Sequence, residues 1–233
     1  MGGRRLALSI GFSAAVRVRA ASRPHRLSRG CVVEVKSWLK VWDAATGLRR
    51  GVLGEHDRNV FNLAFSPDGR FLVSAGKDGK LRIWDGTRLD EHQSSPREMA
   101  LAGGEIADTL AFNAQGTRLA VRSRDLTASI WDVATGTNVL TLRDSAHGFN
   151  ALAFSPDPEG RWLASGGLDS TVKVWDARTG ICLHTFRGHQ DQVRRLQFVR
   201  LPEGLHLVSG SSDQTVKFWP LASLEAAAST PNR

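Results

Sequence analysis

No run in this sequence approaches the roughly 18 consecutive apolar residues that a membrane-spanning helix needs, so a helical membrane protein is excluded and no membrane partner is expected. Cysteine is scarce. The two present, Cys31 and Cys182, lack the paired spacing of a metal knuckle or a disulfide framework; no metal site is expected and a reducing compartment is allowed. Also missing are a P-loop, an HExxH pair, a nucleophile elbow and a dinucleotide fingerprint. Gly103–Gly104 and Gly166–Gly167 are isolated pairs, too weak to cradle phosphates. No catalytic residue and no cofactor are therefore expected. Acids are missing from residues 1–30, which hold Arg4, Arg5, Arg17, Arg19, Arg23, Arg26 and Arg29. This leader carries seven of the net +8 charges, and the body that follows is close to neutral.

Three readings of the leader stay open. Its Arg-rich, Ser-containing, acid-free composition fits an organellar transit peptide. Leu6–Val16 weakly resembles a secretory h-region, although Arg17 and Arg19 spoil the cleavage zone. The third reading is an upstream stretch foreign to the domain, from a miscalled start or a spliced end. Residues 1–30 are expected to be disordered, and the protein cytoplasmic unless they are an organellar address. Nucleic-acid association would rest on these arginines alone.

Self-similarity is the dominant signal. KVWD at Lys40–Asp43, RIWD at Arg82–Asp85, SIWD at Ser129–Asp132 and KVWD at Lys173–Asp176 are joined by KFWP at Lys217–Pro220. Their tryptophans, Trp42, Trp84, Trp131, Trp175 and Trp219, recur at about the 40–45 residues of a four-stranded unit. Within each period a run LAF or LQF precedes a polar turn, SPDG from Ser66, NAQG from Asn113, SPDPEG from Ser155 or LPEG from Leu201. Pro and Gly there favour a tight reversal. The residues before each tryptophan then alternate, as in Leu81 and Ile83 around Arg82, which is the period of a strand with one better-buried face. The fold class is all-β.

The segments GEH…FSPDG…LVSAGKDGKLRIWD and GHQ…LVSGSSDQTVKFW closely resemble the WD-repeat β-propeller family, over about residues 33–220. The resemblance implies a protein-interaction scaffold, and buried His–Ser–Asp–Trp tetrads that fasten each blade. Counting along the repeats assigns His56, Ser74, Asp78 and Trp84 to one tetrad and His189, Ser209, Asp213 and Trp219 to another. Ser165, Asp169 and Trp175 form a third, where His147 stands two places out of register. A further blade keeps only Asp125 and Trp131, with Gly103 and Val121 in the His and Ser places. The first WD segment has Lys36 in the Asp place. A catalytic triad occurs once; a set repeated in several blades is architecture, because buried polar groups each need a partner.

In the family, the end of the blades bearing the His loop and the Asp turn is the usual partner face. It would place Arg58, Lys77, Arg124, Leu168, Gln192 and Ser212 against a protein or peptide. The insertion Gly86–Arg97 should be a loop on the opposite face. About four blades are expected, 57–103, 104–145, 146–188 and 189–220, after a partial one at 33–55, within a propeller region 31–220. The last lacks an outer-strand signal, so residues 221–233 are expected to be a flexible tail and the ring incomplete or open. Bare blade faces would favour self-association. The competing readings of function are a truncated or mis-started propeller fragment with no activity of its own, and nucleic-acid association through the leader.

Overall fold

The computed structural model describes residues 19–22, 37–42, 48–88, 96–100, 106–123, 125–143 and 148–229. The chain divides into two compact units, Met1–Asp108 and Thr109–Arg233. In the first, strands β1 (Arg19–Ser22), β2 (Ser37–Trp42) and β3 (Arg49–His56) form one sheet in sequence order. Strands β4 (Val60–Phe65), β5 (Phe71–Gly76), β6 (Lys80–Asp85) and β7 (Arg97–Ala100) form a second. The next sheet starts with β8 (Ile106–Phe112), at the boundary, and continues with β9 (Arg118–Ser123), β10 (Thr127–Asp132) and β11 (Thr137–Arg143). The second unit adds the sheet β12 (Phe149–Phe154), β13 (Trp162–Gly167), β14 (Val172–Asp176), β15 (Cys182–Phe186). A three-stranded sheet follows, β16 (Val193–Leu201), β17 (Gly204–Ser211), β18 (Val216–Pro220), and then helix α1 (Ala222–Ser229).

These four-stranded antiparallel sheets are the expected blades, and their registers coincide. Opposite four of the five repeat tryptophans stands a leucine of the preceding strand: Leu72 by Trp84, Leu119 by Trp131, Leu163 by Trp175 and Leu207 by Trp219. All four leucines are fully buried. Bulges recur too, early in β4, β12 and β16, where each inserts one residue and increases local twist.

The polar turns share one construction. Ser66 N–H donates to Phe71 O at 2.9 Å while Phe71 N–H returns to Ser66 Oγ at 2.9 Å. Ser155 and Trp162 exchange the same two bonds, and Asn113 and Arg118 do so with the amide oxygen of Asn113. Gly69, Gly116 and Gly160 close these turns at φ 72°, 71° and 62°, where a side chain would be strained. At Gly160 an added Cβ would also lie 2.8 Å from the Cβ of Asn113.

Three expectations are corrected. Residues 221–233 were expected as a flexible tail, yet Ala222–Ser229 is helical, because Leu221 is buried among Trp162, Leu205 and Leu207 and Leu224 packs beside it. Part of the leader expected to be disordered is a strand: β1 pairs with β2, Arg19 opposite Lys40 and Ser22 opposite Ser37. The insertion after Asp85 is not all loop, since Arg97 already pairs with Ile83 in β7. Its central residues, 89–95, lie outside the described residues, as does the rest of the leader.

The last sheet has no fourth strand among the described residues. On β18, Val216 and Phe218 are 63% and 59% exposed. Their counterparts Val172 and Val174 on β14 are fully buried.

Candidate functional site

The polar network of the first unit is built on two sheets. His56 ends β3, whereas Ser74 lies on β5, Trp84 on β6 and Asp78 in the turn between them. Trp84 Nε1–H donates to Ser74 Oγ at 3.0 Å, and Ser74 Oγ lies 2.8 Å from His56 Nε2. His56 Nδ1 lies 3.0 Å from both carboxylate oxygens of Asp78. One proton arrangement satisfies every atom: indole to hydroxyl, hydroxyl to Nε2, and Nδ1–H to carboxylate. The histidine thus couples neighbouring sheets rather than only the strands within one.

The last sheet repeats the arrangement. Trp219 Nε1–H donates to Ser209 Oγ at 2.8 Å, which lies 2.7 Å from His189 Nε2, and His189 Nδ1 lies 2.8 Å from Asp213 Oδ2. In the sheet β12–β15, Trp175 Nε1–H donates to Ser165 Oγ at 2.7 Å. His147, whose register was in question there, lies outside the described residues, as do Gly103, Lys36 and Arg124. The serines are buried and their oxygens occupied. A serine–imidazole–carboxylate series of this kind has the composition of a charge relay, but no substrate atom can reach its hydroxyl. What it supplies is rigidity.

The aspartates also have a second role that the spacing argument missed. Asp125, Asp169 and Asp213 each accept, through Oδ1, the N–H and hydroxyl of the threonine two residues on: Thr127, Thr171 and Thr215. The intervening Leu126, Ser170 and Gln214 take φ of 68°, 66° and 68°, a conformation the Asx turn supports. The repeated Asp-x-Thr is a visible sequence signal for this. Asp78 has lysine there instead, Lys80 N–H at 3.2 Å, and gains a different partner. Arg82 Nη1 donates to Asp78 Oδ2 at 2.9 Å and its Nε to Glu98 Oε1 at 2.8 Å, with Arg82 and Asp78 side chains only 6% and 4% exposed.

Burial works to raise the Asp78 carboxyl, but the hydrogen bonds from His56, the Lys80 N–H and Arg82 overcome it and hold it well below the usual carboxylate range. Asp213 is likewise held low: desolvation opposes, while Thr215, the Gln190 N–H and His189 prevail. Both carboxylates are less readily protonated folded than unfolded. Their stabilisation is complete above the unfolded value near pH 4 and is lost as pH falls through the folded one. Urea midpoints should therefore stay flat from neutral pH to about 5 and fall below about 4. Asp78→Asn and Asp213→Asn should flatten the acid limb; an unchanged slope in both would contradict the assignment.

The sheet β8–β11 shows what happens without the serine. Val121 occupies the register position of Ser74, Ser165 and Ser209, and the buried Trp131 Nε1–H has no hydrogen-bond partner among the described residues. Val121→Ser should supply one. The roughly 1 kcal/mol of that hydrogen bond is offset by the buried apolar volume the smaller side chain gives up, so no net gain in stability is expected and the indole itself is the readout. Slower exchange of the Trp131 indole proton would accompany the new bond, and an indole exchanging as fast as before would refute it.

The tetrads also fix the loops at their end of each sheet. In the first unit Lys77 N–H donates to Asn59 O at 2.7 Å, joining the β5–β6 turn to the segment that carries the exposed Arg58. The second unit makes the equivalent bond, Ser212 N–H to Gln192 O at 3.0 Å, and Arg194 Nε–H donates to Ser212 Oγ at 2.9 Å. Leu168, in the β13–β14 turn, is 39% exposed. Arg58 and Lys77 thus share one end of their unit, and Gln192 and Ser212 share one end of theirs.

The model of the WD domain, G-beta repeat, matches residues 47–85, 136–176 and 180–220, together more than half of the chain. The chain belongs to the WD-repeat family. Nuclear distribution protein PAC1 of Arthroderma otae is 33% identical to it over 145 residues, 54% of this chain and 31% of that protein. WD repeat-containing protein 1 of Xenopus tropicalis is 38% identical over 90 residues, 39% of this chain and 14% of that one. Among solved structures, the computationally designed Ika8 protein aligns with TM-score 0.64 and 31% identity, covering 79% of this chain and 54% of its own. The designed Ika4 protein aligns at TM-score 0.61 and 32% identity, covering 74% and 98%. This WD-repeat chain spans about a third or less of the curated relatives it matches. No helix among the described residues is long and apolar enough to cross a membrane.

Proposed function

We propose that this WD-repeat chain is a non-catalytic scaffold that holds a partner protein or peptide on the loop ends fixed by its tetrads. The supporting observation is the pairing of buried, fully used Ser–His–Asp sets with surface loops that those sets immobilise. Such a construction presents side chains at low conformational cost on binding, which is what a recognition surface needs. In the first unit the presented groups are the cations Arg58 and Lys77, suited to an acidic stretch of a partner. The second unit presents Leu168, Gln192 and Ser212, an apolar contact flanked by hydrogen-bonding groups.

Affinity capture with quantitative mass spectrometry tests this, using Arg58→Glu/Lys77→Glu and Leu168→Asp variants. Arg58→Glu/Lys77→Glu, which reverses two charges, and Leu168→Asp, which puts a charge in an apolar contact, should each lower recovery of a defined partner set by roughly tenfold, with melting unchanged. Recovery of every partner at wild-type level by both variants would remove this assignment.

A further inference from the structure

A cavity of about 420 Å³ lies within the second unit, at the end of the sheets opposite the tetrad aspartates. It owes its shape to two local features. The β12–β13 turn, SPDPEG, is two residues longer than the SPDG turn of β4–β5, which brings Pro158 and Glu159 into the rim. Helix α1 stands on another side, held by the burial of Leu221 and by Glu225, whose Oε2 accepts the Leu205 N–H at 3.1 Å and whose Oε1 pairs with Arg200 at 3.3 Å.

Trp162 lines this cavity although only 6% of it is exposed. Unlike Trp175 and Trp219, whose indoles are used by serines, its Nε1–H has no acceptor among the described residues. An indole donor placed at a cavity wall takes its acceptor from whatever enters. The charges around it are uneven. Asp157 already accepts the Arg161 N–H and the Ser155 hydroxyl, and Glu225 pairs with Arg200. The side chain of Glu159 is exposed and its carboxylate has no partner among the described residues, only its backbone carbonyl accepting from Asn113 Nδ2 at 3.4 Å. Of the three carboxylates on the lining, that of Glu159 is the one without a side-chain partner, beside the apolar surfaces of Pro156, Pro158 and Trp162; the cation Arg161 also borders the cavity.

We propose that this cavity binds a basic residue in an extended segment of a partner protein. The backbone carbonyl of that residue accepts the Trp162 indole proton, its aliphatic stem packs on the prolines, and its cation meets Glu159. The volume suits one or two residues of a peptide. The site is separate from the loop ends and does not depend on them.

The full chain, ¹⁵N-labelled at its indoles, is titrated with N-acetyl-arginine methylamide and, in parallel, with N-acetyl-aspartate methylamide. The signal of Trp162 is identified by its loss in Trp162→Phe. It should move saturably with the basic probe at millimolar concentration and stay still with the acidic one. Glu159→Gln should weaken the response roughly threefold, as for an exposed charge contact, and Glu159→Arg should abolish it. Arg58→Glu/Lys77→Glu should leave it unchanged, so failure here is distinct from failure of the loop-end assignment. Both Glu159 variants sit on an exposed turn and leave the core intact, so they report even if Trp162→Phe does not fold. No indole signal moving, a larger response to the acidic probe, or wild-type binding by Glu159→Arg would overturn the proposal.

Discussion

Ser74→Ala is expected to destabilise the first unit by about 2–4 kcal/mol, because it strands two buried groups at once, each costing about 1–3 kcal/mol without a partner. The hydroxyl removed is the acceptor for Trp84 Nε1–H and the partner of His56 Nε2, and all three side chains are at most 1% exposed. The loss of a single oxygen leaves almost no volume change, so cavity formation adds little. Ser209→Ala, the same change in the last sheet, should cost less, since Trp219 is only partly buried and water can reach its indole. Urea unfolding of both variants measures the difference. Equal losses, or a Ser74→Ala loss below 1 kcal/mol, would show that the serines fill space without joining the network.

Arg82→Ala is the second large effect, at about 2–3 kcal/mol. Removing one partner from a buried ion pair costs about 3–5 kcal/mol when the other charge is left bare. Asp78 is not left bare, because His56 and the N–H groups of Asp57 and Lys80 still bind it, which places the expectation below that range. Glu98 is 43% exposed and regains water. Arg82→Met, which keeps the apolar stem, should cost less than alanine. Urea unfolding decides: a loss under 1 kcal/mol for alanine would mean that the histidine alone secures Asp78.

Much of the architecture was legible because it repeats. Four of the five tryptophans located the third strands, and alternation around Lys173 set the buried face of β14; around Arg82 it did not hold, because Arg82 is itself buried against Asp78 and Glu98. The residues brought together at His56 and His189 could be counted from the same frame. Substitutions inside the frame were legible as well: Val121 in a serine place reads directly as an indole without an acceptor. What escaped was whatever does not repeat. Arg82 and Glu98 meet because β7 pairs with β6 after an irregular insertion, and no spacing rule spans an insertion. Helix α1 is only eight residues long and depends on docking Leu221 and Leu224, although its alanines, leucines and glutamate favour helix. Strand β1, with the sequence RAAS, carries no β signal of its own and is defined by β2 beside it. At the loop ends, the backbone bonds from Lys77 to Asn59 and from Ser212 to Gln192 follow from where the aspartate turns sit. The chemistry of what lies against them is set by exposed side chains whose pattern is free to vary.

Photo-crosslinking from single introduced residues is the most direct test of the scaffold assignment. A photoreactive amino acid is placed at Arg58 or Lys77 in the first unit, at Leu168 or Ser212 in the second, and in a control chain at Pro67 on the opposite end of the first unit. The account predicts that a defined partner set is trapped from the loop-end positions and is missing from the Pro67 control. Trapping of the same partners from Pro67, with none from Arg58, Lys77, Leu168 or Ser212, would contradict it.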